Sequence, residues 1–140
     1  MTAGVVGIVG FTLGSIQQTI SLVQGVKGAP TAVNAIVEEL NSLKVVLETL
    51  TKFLTQTDLR DREGRSEFLR LLNDPLLKCV SYSHDIREKL KPYIRTDGAA
   101  KVSTWRGLSW FLHEKEFLAL RRNLDGQKSA LEIAVSVVNL

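Results

Sequence analysis

The sequence predicts an all-α protein, an elongated bundle of the four-helix type with a hydrophobic, glycine-rich helix at its front. Three observations lead there. Only 3 prolines occur in 140 residues. Alternating β-branched runs are few, and apolar residues recur at spacings of three and four over long stretches, the period of an amphipathic helix. The length suits a single domain over residues 1–140 that buries roughly two-thirds of its unfolded surface around one core.

The first helix is expected over residues 1–26, ending where Gly25 and Gly28 precede Pro30. The second, over 30–55, starts at a proline suited to a first turn. Its apolar stripe is Val33, Ile36, Val37, Leu40, Leu43, Leu47, Leu50 and Leu54, with Glu38, Glu39, Lys44, Glu48 and Lys52 outside it. Charged, turn-prone residues from Thr57 to Gly64 form a connection. A third helical stretch is expected over 66–94, carrying Phe68, Leu69, Leu71 and Leu72 before Asp74 and Pro75 interrupt it, with a new or kinked helix beyond that has Asp74 as its N-cap. Beyond it Leu76, Val80, Ser83, Ile86, Leu90 and Tyr93 point inward, and Thr96 to Gly98 ends the element. The last helix is expected over 101–139, with Trp105, Leu108 and Leu112 on one face, then Phe117, Leu120, Leu124, Leu131, Ala134 and Val138. Asp125 and Gly126 make a soft spot through which the apolar spacing continues. The closing run from Leu131 to Leu140 has neither cap nor polar tail and reads as the front part of a longer protein.

Charge divides the chain in two. No ionisable side chain precedes Lys27, whereas the rest holds 18 Lys and Arg against 15 Asp and Glu, a net charge of +3. The basic residues are interleaved with acids, as from Asp58 to Arg65, so no nucleic-acid surface is written here. The single cysteine, Cys79, excludes an internal disulfide framework and fits a reducing, cytoplasmic compartment. Export is excluded because no Lys or Arg precedes the apolar run and Gln17 and Gln18 interrupt it. The strongly apolar part, Ala3 to Ile16, spans about 14 residues against the roughly 20 that a membrane-crossing helix requires, so it is marginal for spanning.

Catalytic signatures are poor. His84 beside Asp85 and His113 beside Glu114 are neighbours in sequence, but adjacent helical positions diverge by about 100° and make no dyad. Both histidines read as surface or core-edge residues. No metal set, cofactor motif or phosphate loop is present: no Gly-Lys-Ser/Thr follows the leader glycines, and no strand precedes them. The chain is read as a non-enzyme without cofactor.

The glycines have helical phase instead. Ala3, Gly7, Gly10 and Gly14 follow one another at spacings of four, three and four, making one flat strip, and Gly10 to Gly14 is a literal GxxxG. Each glycine costs about 1 kcal/mol against alanine in a helix. Two readings offset that cost: close packing inside the bundle, or association of helices in a membrane.

Four stretches carry a resemblance. VVGIVG from Val5 to Gly10, VQGVKGAP from Val23 to Pro30, EELNSL from Glu38 to Leu43 and WFLHEKEF from Trp110 to Phe117 resemble the fungal HeLo-like N-terminal domains, and together they span nearly the whole chain. The resemblance implies a four-helix-bundle domain at the front of fungal NOD-like receptors or cell-death effectors, similar to the killer bundle of mixed-lineage kinase domain-like protein. It implies programmed cell death of the heterokaryon-incompatibility or innate-immunity kind: cytoplasmic at rest, oligomerising on a signal from a C-terminal region, then permeabilising the plasma membrane. The membrane-inserting residues would be Val5, Val6, Ile8, Val9, Phe11, Leu13, Ile16 and Ile20, the helix-packing glycines Gly7, Gly10 and Gly14, and the partners membrane lipids, anionic phospholipids among them, and other copies of the chain. A non-lytic adaptor module whose first helix stays buried is the alternative.

Overall fold

In the computed structural model the backbone is described for residues 2–56, 62–97, 102–105 and 114–138, and side chains for 7–26, 28–54, 68–94, 105 and 114–136. The fold is all-α in architecture. Among the described residues four long helices, α1 (Thr2–Gln24), α2 (Thr31–Gln56), α3 (Arg62–Leu90) and α4 (Glu114–Val138), are joined by three short strands, β1 (Val26–Lys27), β2 (Ile94–Asp97) and β3 (Val102–Trp105). Helix α1 packs on α2 and α3, and α4 packs on the same two, so the order around the bundle is α1, α2, α4, α3.

Helix α2 is the central wall. Every position of the stripe from Val33 to Leu54 is buried, and Leu40, Leu43, Leu47 and Leu50 have no exposed surface at all. Spacings of three and four put them on one face, and burying such side chains contributes about 1.5–3 kcal/mol each. The helix begins where the Pro30 carbonyl accepts the N–H groups of Val33 at 3.0 Å and Asn34 at 3.1 Å. Just before it, Gly28 has φ of +80°, a left-handed turn that a side chain would strain.

Two expectations about α3 are corrected. Pro75 does not divide it: the helix is continuous from Arg62 to Leu90 with Pro75 inside. Asp74 is no N-cap, but sits mid-helix and pairs with Lys78 at 3.0 Å, one turn on. An interior proline costs about 3 kcal/mol. It is tolerated because Phe68 and Leu72 before it and Leu76 and Cys79 after it lie on one buried stripe, and a break there would lift half of that stripe off the core. Phe68 meets Phe53 of α2 edge to face, with ring centroids 5.5 Å apart.

The last helix is also corrected: Val102–Trp105 is a strand, so no single helix runs from residue 101, and α4 is described over Glu114–Val138. Strand β3 is central in the small sheet, antiparallel to β2 with Ile94 opposite Trp105, and parallel to β1 with Val26 opposite Ser103. The Trp105 ring stacks on Tyr93 at 5.1 Å. The signal was present in Val102, Thr104 and Trp105, all strand-favouring residues, and in the Asp97-Gly98 pair. Leu108, Leu112, His113 and residues 57–61 of the expected connection lie outside the described residues. Helix α4 does run unbroken through Asp125 and Gly126, with Leu124 and Leu131 buried on either side. There Lys128 reaches Glu39 of α2 at 3.0 Å and Asp125 at 3.3 Å, which ties α4 to α2 and raises the pKa of the ammonium, chiefly through the hydrogen bond to Glu39.

Cys79 is fully buried in the core, and loss of hydration pushes its thiol up to about 12. The thiolate is the reactive form. A thiol reagent at neutral pH is therefore expected to label the native protein far more slowly than the denatured one. Labelling of the native protein at the denatured rate would mean that the α3 face opens freely.

Candidate functional site

The bundle's four faces are not alike. All eight described buried positions on α2 are apolar, but three of the seven described buried positions on α1 carry hydroxyls: Thr12, Ser15 and Thr19 stand among Val9, Ile16, Ile20 and Val23. The remaining buried polar residue described, Ser83, faces them from α3. Polar burial is concentrated on the α1–α3 seam.

How these hydroxyls are satisfied matters. Thr12 Oγ1 donates to the Ile8 carbonyl at 2.8 Å and Thr19 Oγ1 to the Ser15 carbonyl at 3.0 Å, both within α1. A second contact from Thr19 Oγ1, to the Ser83 carbonyl, is long at 3.5 Å. Ser83 Oγ itself is buried and has no hydrogen-bond partner among the described residues. Such an orphan costs about 1–3 kcal/mol. As donors the hydroxyls thus add little adhesion between the two helices.

One side chain bridges them. Arg87 Nη1 donates to the Ser15 carbonyl at 2.8 Å, Ser15 Oγ at 2.9 Å and Thr19 Oγ1 at 3.0 Å. All three acceptors are neutral. Other cations do differently: Lys89 pairs with Glu116 at 2.9 Å, Lys91 with Glu88 at 2.6 Å, and Lys78, Lys44 and Lys128 each have a carboxylate within reach. Among the described residues no carboxylate pairs with Arg87. The guanidinium borders a half-open cleft of about 310 Å³ between Phe11, Gly14, Ser15 and Gln18 of α1 and Val80, His84 and Arg87 of α3.

The outward face of α1 is uncharged. Gly7 and Gly10 are exposed, Gly14 is half-buried, and a Cβ added to any of them would meet nothing within 4 Å. Close packing inside the bundle is therefore not what these glycines serve here. Phe11 stands beside them 69% exposed, whereas Ile8 and Leu13 are half-buried and Val9, Ile16 and Ile20 are core. The side chains of Val5 and Val6 lie outside the described residues. So the structure divides the expected inserting set: Phe11 faces outward, and its described companions hold the bundle together.

Arg87 went unremarked in the sequence. Its only trace there is its place beside the α3 stripe, next to Ile86, opposite a helix that contains no acid. A second groove, between Glu39 of α2 and Leu118, Arg121, Arg122 and Asp125 of α4, mixes both charges. Among the described residues no group of three or more His, Cys, Asp or Glu side chains comes together to hold a metal ion, and His84 is exposed at the cleft.

Fold and seam define a class: an all-α, four-helix-bundle domain whose first helix is uncharged outside and hydroxyl-bearing inside. Within that class the chain belongs to the family described as pigment biosynthesis cluster protein PigL N-terminal, whose model matches residues 1–140. No match was found among the curated proteins or the solved structures.

Proposed function

We propose that this is a HeLo-like, membrane-targeting domain of cell-death execution, which oligomerises on activation and permeabilises the plasma membrane through α1. The observation that carries the reading is the construction of α1. Its outer face bears no charge, and Thr12 and Thr19 bond to carbonyls of their own helix, so these hydroxyls stay satisfied when the helix leaves α3. A polar group moved into an apolar medium is tolerable on that condition.

Helix α1 would not act alone. Among the described residues no helix is long and apolar enough to cross a membrane. With 23 residues α1 has the length, about 35 Å against a hydrocarbon core of about 30 Å, but Gln17, Gln18 and Gln24 are too polar to face lipid singly. In an assembly these amides bond across helices, and Gly7, Gly10 and Gly14 permit close approach. The same limit on hydropathy favours a second reading, a non-lytic adaptor that signals through protein contacts.

Dye release from anionic liposomes separates the two. The lytic domain is expected to bind and release dye, with salt weakening the binding but not abolishing it. A net charge of +3 supplies about 1 kcal/mol per basic residue at the surface, against about 1.5–3 kcal/mol for each apolar side chain fully buried. Complete detachment at moderate salt would mean a peripheral electrostatic binder. Assembly without any dye release would favour the adaptor.

A further inference from the structure

We propose that the α1–α3 cleft binds the phosphate of an anionic phospholipid headgroup, with Arg87 as its anchor, and that capturing the phosphate draws Arg87 off α1. This rests on the membrane reading above and adds to it a lipid class and a release step.

The geometry of Arg87 is the starting point. Its three hydrogen bonds all leave from Nη1 and all end on neutral oxygens of Ser15 and Thr19. Nε and Nη2, the other donors of the planar fork, make no hydrogen bond to a described residue. A guanidinium fork matches a phosphate through two parallel bonds in which donor and acceptor are both charged, whereas its bonds to Ser15 and Thr19 have a charged donor and neutral acceptors. Phosphate is therefore the better acceptor, and it competes for the same cation that holds α1.

The surroundings admit an anion. Helix α1 has no ionisable side chain. On α3 the positions three and seven residues before Arg87 are His84 and Val80, which line the cleft with it. Asp85, two positions before Arg87, is turned about 160° away around the helix. Glu88, next to Arg87 in sequence, makes its ion pair with Lys91 at 2.6 Å; that pair, with smaller contributions from the charges of His84 and Arg87, holds its carboxyl below the usual range. The rim then selects a lipid over a free phosphate or an acidic peptide. Phe11 is 69% exposed on the α1 side and half-buried Val80 lines the cleft on the α3 side, so apolar surface borders the charged point as acyl chains border a headgroup.

The test uses vesicles of phosphatidylcholine alone and of phosphatidylcholine with phosphatidic acid, read by co-flotation and dye release. The parent is expected to bind the phosphatidic acid vesicles about tenfold more tightly than the neutral ones. Arg87→Gln should reduce that preference to near unity while raising leakage from neutral vesicles, because α1 is no longer held. Ser15→Asp places a carboxylate beside Nη1. It should keep the melting temperature at or above the parent's and lose about tenfold in binding to phosphatidic acid, and it serves alone if Arg87→Gln fails to fold. The proposal is overturned if a folded Arg87→Gln protein keeps the parent's preference, or if Ser15→Asp binds phosphatidic acid like the parent. Glycerol 3-phosphate or a polyglutamate peptide that shifts the Arg87 Nε–H resonance as readily as the vesicles do would overturn the lipid assignment. A parent that binds neither vesicle would sink the membrane reading and this proposal with it, whereas binding indifferent to Arg87 and Ser15 would sink this proposal alone.

Discussion

Leu47→Ala is expected to destabilise the domain by about 2–5 kcal/mol, because a fully buried leucine in a wall of leucines leaves a cavity that helices on both sides cannot collapse to fill. The loss corresponds to roughly ten degrees or more in Tm, measured by thermal or urea unfolding followed at the helical circular dichroism band. Leu43→Ala, one turn earlier and equally buried, should behave alike. The pair reports on α2 as the element that α1 and α4 share. A change below about 0.5 kcal/mol at both positions would be typical of surface sites and would show that this face is not the core.

The second large effect falls on activity rather than stability. Phe11 is 69% exposed, so Phe11→Lys removes no core contact, and the native fold should hold within about 0.5 kcal/mol. If α1 enters lipid, a lysine near its middle costs about 2.5–3.5 kcal/mol where phenylalanine was favourable, and leakage should fall by roughly a hundredfold at unchanged helicity. Ile16→Lys makes the contrast. Ile16 is fully buried, the new ammonium would lie unpaired in the core, and activity there should disappear together with the fold. A Phe11→Lys protein that is folded and leaks like the parent would refute insertion of α1.

These substitutions also mark where the sequence was legible. The stripe from Val33 to Leu54 was read position by position, because on a long amphipathic helix the period alone says which side is inward. The continuity of α4 through Asp125 and Gly126 was legible for the same reason. The proline rule, not the period, failed at Pro75, where a local tendency to break the helix was outweighed by the burial of Leu72 and Leu76 on a single stripe. Periodicity itself failed over Ile94–Asp97 and Val102–Trp105, where short segments that would not stand alone are held as strands by pairing with each other and with Val26.

By itself the sequence determined that the chain is a helical bundle, that its first helix carries no charge, and that glycines line one strip of that helix. Hydrophobic period and charge position are properties of a single helix and need no neighbour to be read. Only the tertiary structure decided which way that helix faces. It placed Val9, Ile16 and Ile20 inward, left Gly7, Gly10 and Phe11 to solvent, and brought Arg87 of α3 onto Ser15 and Thr19, 72 and 68 residues away along the chain. A helix hydrophobic on most sides has no single face favoured by its own composition, so its orientation is set by the partner it packs against. Here the partners are α2 and α3, and on the α3 side the guanidinium of Arg87 rests on neutral oxygens because α1 offers no carboxylate.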